Sequence, residues 1–152
     1  MALIYDSESE LPEHIAGLIA DARKRQQEWI SGTEGDISEF QHPDMTIYGP
    51  FGGPAGRMRE GLAQGQATVR SQFQGGTSEA QFVRAIESGD LLIIVLESSM
   101  VKFTGHDRPH PWMLRVTEAY QRDGDRWQRV HRHADPLARR RPLDETLALL
   151  AV

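Results

Sequence analysis

The chain has 152 residues, a formal net charge of −5 and no cysteine, so disulfides, thiolate nucleophiles and cysteine-based metal sites are all excluded. The acidic balance argues against nucleic acid as a partner, which needs clustered basic charge, and no apolar run is long enough to cross a membrane. The length suits one domain with its own core, expected over 1–152. The opening "MALIYDSESELPE" lacks the basic region and apolar stretch of a signal peptide, so a cytoplasmic location is expected.

Leu11, Ile15, Leu18, Ile19, Ala22, Trp29 and Ile30 recur near helical spacing, with charges between them. Pro12 suits a first turn and Gly32 a helix end. Thr33 can cap a short second helix through Phe40. Met45 to Tyr48 read as a short strand, and the Gly/Pro cluster from Gly49 to Gly56 as a loop. Gly52-Gly53 lacks the Lys-Ser/Thr pair of a phosphate loop and is read as a turn. Met58, Leu62, Val69 and Phe73 mark one face of a third helix, closed by "QGGTS".

Four strands follow: "EAQFVRAIES", "DLLIIVLESSMVKF", "PWMLRVTEAYQR" and "RWQRVHRHA". Gly89-Asp90 and "DGD" supply hairpin turns. Helices segregated from an antiparallel meander define an α+β domain. The expected architecture is three N-terminal helices packed on a strongly curved, mostly antiparallel sheet that encloses a pocket. The core is expected over about 11–137. The remaining tail, 138–152, includes Arg139-Arg140-Arg141, read as a solvated run.

This order resembles the nuclear transport factor 2-like superfamily, with its cone-shaped (cystatin-like) fold. "HPDMTIYGPFGGPAGRMRE" looks like the first strand, Pro-Phe-Gly loop and third-helix entry of ketosteroid isomerases. "LRVTEAYQRDGDRWQRVHRHADP" looks like the final hairpin of SnoaL-like proteins and of the association domain of calmodulin-dependent kinase. The resemblance covers roughly residues 11–137. It implies a small-molecule-binding SnoaL-like protein. That protein is either a cofactor-independent acid–base enzyme of isomerase, cyclase or hydrolase type acting on an apolar metabolite, or a non-catalytic ligand-binding or dimerisation domain. The isomerase mechanism does not carry over. Matching "YGPFGG" residue by residue puts Gly49 where the isomerases hold their base, and the first helix offers Arg25 and Trp29 in place of an oxyanion tyrosine.

Other polar residues become the candidates. Glu97 ends "LLIIVLE" and either projects into a partly dry cavity as an acid–base group or is solvated where the strand leaves the core. Arg115 and Glu118, three apart on one strand, face opposite sides, so only one lines the pocket. Resemblance to the kinase association domain puts a pocket arginine at about Glu118, whereas resemblance to the isomerases puts the oxyanion aspartate nearer Arg115. Asp44 and Tyr48 share a face, with Tyr48 either a ligand donor or a core tyrosine. Trp29, Phe51 and Trp112 are candidate apolar walls. His131 and His133 share one strand face. A metal would need a third ligand, and neither Asp135-Pro136 nor the distant His106 and His110 supplies a pattern for one, so no metal and no cofactor are expected. The pair is read as strand packing with a hydrogen bond to a neighbouring strand or protomer, or as a proton shuttle. The open sheet face, with Val116 and Ala119, is expected to make a homodimer.

Overall fold

Helix α1 spans Glu13–Ser31. Pro12 stands at its N-cap, and its carbonyl accepts from the N–H groups of Ile15 and Ala16 at 3.1 and 3.0 Å. Gly32 ends it in the left-handed region, with φ 71°, where a side chain would be strained. Thr33 closes the same end, its N–H donating to the Glu28 carbonyl at 2.9 Å. The face of α1 carrying Ile15, Ile19 and Ile30 is fully buried against the sheet, and each such side chain contributes about 2 kcal/mol of burial.

The computed structural model describes residues 1–33, 41–58, 71–100 and 108–151. The strands are β1 (Leu3–Tyr5), β2 (Gln41–Tyr48), β3 (Gly56–Arg57), β4 (Ser78–Ser88), β5 (Leu91–Met100), β6 (Trp112–Asp123) and β7 (Arg126–Asp135). A short helix, α2 (Leu143–Ala148), closes the chain. The seven strands form one sheet in the order β1-β4-β5-β6-β7-β2-β3, antiparallel except where β2 runs parallel to β7. The α+β class and the mostly antiparallel sheet match the sequence reading.

Several expectations need correction. Among the described residues there are two α-helices, not three, and of these only α1 is N-terminal, preceded by a short 3-10 turn at Glu8–Glu10. The expected helices over 33–40 and 58–73 fall largely outside the described residues. The sheet is not strongly curled. Its irregularities are local, bulges at Val83 on β4 and at Val130 on β7 and a register shift between Gln41 and Thr46 on β2. The N-terminal arm, set outside the expected core, adds β1 to the edge of β4, with Leu3 opposite Glu87 and Tyr5 opposite Ala85. Asp6 then receives the Arg84 guanidinium at 2.6 Å, and Glu8 receives Arg23.

The two long hairpins use the same turn chemistry. Gly89-Asp90 joins β4 to β5 and Gly124-Asp125 joins β6 to β7, each glycine at positive φ, 59° and 61°. Arg122 ties the two turns together, its Nε and Nη2 donating to Asp90 Oδ1 at 2.9 and 2.7 Å. Alternation along β6 then sorts the side chains. Leu114, Val116, Glu118 and Tyr120 are buried on the α1 side, while Met113, Arg115 and Thr117 face away. Val116 therefore belongs to the core, 3% exposed, and adds nothing to an outer apolar face.

Trp127 lies opposite Arg122, just after the second turn. Its ring stacks on His14 of α1 at 5.9 Å, and the Arg122 guanidinium sits 5.6 Å from the ring centroid. Half-buried, it joins the hairpin end to the helix. Trp127→Ala is expected to cost about 3 kcal/mol, the low end for tryptophan truncation. For a chain of this size that lowers the melting temperature by roughly 6–12 °C. A calorimetric scan checks this, and an unchanged melting temperature would contradict the packing role.

Candidate functional site

Cross-strand rows define what each sheet face can do. On the α1 side one row runs Ile94, Glu118, Arg132 and Ile47, and the next runs Leu92, Tyr120, Arg129 and Gln41. Arg129 and Arg132 are three apart, so a regular strand would point them to opposite faces. The bulge makes the difference. Arg129 pairs with Tyr120 and His131 with Ala119, leaving Val130 as the extra residue, and both arginines turn inward. The irregularity extends into β2, where Gln41 is brought opposite Arg129.

The result is a buried polar cluster inside an apolar sheet face. Glu118 Oε1 accepts from Arg129 Nη1 at 2.9 Å and from Arg132 Nε at 3.3 Å. Glu118 Oε2 accepts from the Tyr120 hydroxyl. Gln41 Oε1 accepts from both Nε and Nη2 of Arg129, at 3.2 and 3.1 Å. Burial by itself raises the pKa of the Glu118 carboxyl. The Arg129 and Arg132 guanidiniums, the Tyr120 hydroxyl and the charge of Arg25 on α1 outweigh it, and the value falls to about 2. Burial, reinforced by the Glu118 charge, pushes the Tyr120 phenol far above its ordinary range. Glu118 is thus ionised, with both oxygens occupied and little affinity for a proton. Tyr120 gives its only proton to Glu118.

Farther along the same face the sheet turns aromatic. Trp29 packs on Phe73 at 4.7 Å, Phe73 meets Trp112 edge-on at 5.9 Å, and Phe51 lies over Trp112 at 5.4 Å. Ser98 lies opposite Leu114 on this side of the core. Four residues separate Leu114 from Glu118 along β6, a rise of roughly 13 Å. Two buried polar atoms have no hydrogen-bond partner among the described residues, Ser98 Oγ level with Leu114 and Gln41 Nε2 in the Tyr120 row beyond Glu118.

The remaining candidates lie on the outer face. Glu97, Arg115 and Asp135 form one row. Glu97 is exposed there and does not point toward the α1 side. Arg115 is turned away from the core and makes a bidentate pair with Asp135, both contacts at 2.9 Å. Glu118, not Arg115, is therefore the inward residue of the two. Tyr48 is 45% exposed and does not face the interior. Its ring lies 5.9 Å from His131 and 5.7 Å from His133. His131 Nδ1 is 2.7 Å from the Thr46 hydroxyl, and burial, then the neighbouring His133, lowers its pKa. Asp44 is exposed, its N–H donating to His42 Nδ1 at 3.0 Å. Among the described residues no three His, Asp or Glu side chains are grouped to hold a metal, and no helix is long and apolar enough to cross a membrane. A groove of about 610 Å³ at the free edge of β4 is lined by Glu8, Arg23 and residues 78–82, away from both clusters.

Sequence reasoning singled out Glu118 but missed Tyr120, Arg129, Arg132 and Gln41. The arginines were visible in "WQRVHRH", but their spacing argued against a shared face until the bulge was known.

Comparison with solved structures gives the class. The fold is similar to that of a ketosteroid isomerase-like protein from Erwinia carotovora atroseptica (TM-score 0.67, 16% identity, 85% of this chain and 100% of that one). It is similar to a protein with a cystatin-like fold from Caulobacter vibrioides (TM-score 0.58, 16% identity, 88% and 92%). It is also similar to a chain provisionally named a calcium/calmodulin-dependent protein kinase type II association domain, from Thiobacillus denitrificans (TM-score 0.59, 20% identity, 82% and 94%). No family model and no curated protein matches the sequence. The chain has the nuclear transport factor 2-like, cystatin-like α+β fold.

The position of Glu118 makes stability depend on acid. Its folded pKa, about 2, lies below the ordinary 4.5, so the ionised carboxylate stabilises the fold above about pH 4.5, and this contribution is lost as pH falls through about 2. The shift corresponds to about 3 kcal/mol. Glu118→Gln should be less stable than the parent at neutral pH by roughly 3–5 kcal/mol, because two guanidiniums lose their counter-charge. Its denaturation midpoint should also vary less between pH 4.5 and pH 2 than that of the parent. Equal acid slopes for the two proteins would remove Glu118 from this role.

Proposed function

We propose that the protein binds a small molecule between α1 and the inner sheet face, and that it is not an acid–base enzyme of the ketosteroid isomerase type. One observation carries this reading. The carboxylate facing the interior, Glu118, is held by Arg129, Arg132 and Tyr120 with its pKa at about 2. A general base works best with a pKa near the working pH and a free lone pair aimed at the substrate, and Glu118 has neither. Glu97 is exposed on the opposite face. Support for binding comes from the buried Gln41 Nε2 and Ser98 Oγ, which lack partners among the described residues. Such atoms cost stability unless a water or a ligand satisfies them. The aromatic group of Trp29, Phe73, Trp112 and Phe51 supplies apolar wall for the body of the ligand. The ketosteroid isomerase-like name of the Erwinia neighbour bears on fold, not on chemistry, at 16% identity.

The test is the conjugated-enone absorbance of a β,γ-unsaturated ketosteroid. The parent protein should not raise it above background, because Gly49 has no side chain at the position of the base. Among the described residues no atom beyond the chain neighbours lies within 4 Å of a Cβ built at Gly49, so Gly49→Asp can be made beside it. Robust turnover by the parent would overturn the reading.

We also infer a homodimer through the outer face. Leu91, Ile93, Met113 and Val83 are 56%, 38%, 57% and 42% exposed on or beside the long strands. Exposed apolar side chains at both ends of this face, on either side of the Glu97–Arg115 row, favour association, and a self-complementary face closes on itself as a twofold dimer. Sedimentation equilibrium at micromolar concentration should give about twice the chain mass. Met113→Glu with Leu91→Glu should give the single-chain mass with the fold retained.

A further inference from the structure

The chain beyond β7 carries an apolar stripe that no described residue covers. Helix α2 is six residues long, and a helix that short is marginal in water unless its apolar side is packed. Leu143, Leu147 and Leu150, four and then three residues apart, extend along one side and are 74%, 54% and 71% exposed. A basic run stands just before them. Arg139 pairs with Glu145 at 2.8 Å, and Arg141 donates to the Arg139 carbonyl at 3.2 Å. Arg140 is exposed and makes no ion pair among the described residues. The outer sheet face carries the complement. Glu79 on β4 and Glu97, one row along on β5, are both exposed there and have no ion-pair partner among the described residues. Ile93 and Leu91 follow on the same face of β5, also exposed.

We propose that the segment 139–150 crosses to a second copy of the chain and lies along β5 on that copy's outer face, with Arg140 and Arg141 against Glu79 and Glu97 and the leucines on Ile93 and Leu91. This rests on the homodimer reading above and names the segment that completes the interface. Spacing supports the match. Ile93 and Leu91 stand roughly 13 and 20 Å from Glu97 along the strand. From Arg141, an extended step and then helical rise place Leu143, Leu147 and Leu150 at roughly 7, 13 and 17 Å. The reach is sufficient, since the chain from Asp135 to Leu143 can extend about 27 Å, against roughly 10 Å between packed sheets. Charge agrees as well. The face presents the two carboxylates of Glu79 and Glu97, and the tail presents two guanidiniums beyond the Arg139–Glu145 pair. The segment does not lie on its own sheet, because its leucines and both Ile93 and Leu91 are exposed. A twofold axis makes two such contacts in one dimer.

The experiment reverses charge in full-length chains and mixes them. One variant carries Arg140→Glu with Arg141→Glu, the other Glu79→Lys with Glu97→Lys, and dimer affinity is measured by sedimentation equilibrium and native mass spectrometry. Either variant alone sets like charges against each other in both contacts, so its dimer dissociation constant should rise about tenfold to a hundredfold over the parent. An equal mixture should form heterodimers with parent-like affinity, because each reversed tail then meets a reversed face. That rescue also shows that both variants are folded. Leu147→Glu with Leu150→Glu should weaken the dimer by a similar factor, with no rescue by either charge variant. A dimeric parent whose two charge variants dimerise equally well would overturn the tail contact and leave the homodimer standing. Weakened variants that a mixture does not rescue would overturn the exchange between copies. A parent that stays monomeric at micromolar concentration would overturn the homodimer reading and the tail contact with it.

Discussion

Glu118 is surrounded by two guanidiniums and a phenol in a row otherwise made of Ile94 and Ile47, and this charge cluster organises the inner half of the molecule. An isolated buried carboxylate would take up a proton; an isolated buried guanidinium would demand water. Together they are tolerated, because each oxygen of Glu118 is occupied and Arg129 extends the chain of hydrogen bonds to Gln41. The cluster joins β6 to β7 and, across the parallel pairing, β7 to β2. Replacing it with apolar side chains can preserve stability in such cases. What the charges supply beyond stability is a fixed, directional set of donors in a dry place.

A single extra residue makes that set possible. Without the bulge at Val130, Arg132 and Arg129 would lie on opposite faces, and Glu118 would have one cationic neighbour instead of two. With it, the histidines keep their own face. His131 falls opposite Ala119 and Thr46, and His133 opposite Thr117 and Tyr48. One local backbone irregularity therefore separates two chemistries carried by alternating residues of the same seven-residue stretch, an arginine pair inside and a histidine pair outside.

The comparison with the isomerases shows how a shared fold carries different chemistry. The loop after β2 retains the Pro-Phe-Gly sequence, yet Gly49 leaves its first position without a side chain. The interior carboxylate sits instead on β6, where neighbouring arginines lower its proton affinity, the reverse of an apolar site that raises it. On such a scaffold the partners of one carboxyl group set its proton affinity.

Much of this was legible in the residues themselves. Periodicity located α1 and its end at Gly32, and Gly-Asp turns with alternating apolar positions located the four long strands, because these signals are local and the backbone obeys them. The resemblance of the final hairpin gave the fold. Alternation restricted the inward residue of β6 to Glu118 or Arg115, but the choice between them depends on which face receives α1, and no local signal carries that. Tyr48 and Glu97 came out on the outer face for the same reason. The edge strand Leu3–Tyr5 was hidden because three residues are too few for a period, and its pairing with β4 is a long-range contact. The convergence of Arg129, Arg132 and Gln41 on Glu118 was hidden because a bulge breaks the period-two rule from which facing is read, and where a bulge falls is decided by pairing between strands. Sequence thus determined the elements, their turns and the residue types available. Tertiary structure decided which of them meet, since facing and burial are properties of the packed sheet and not of any strand alone.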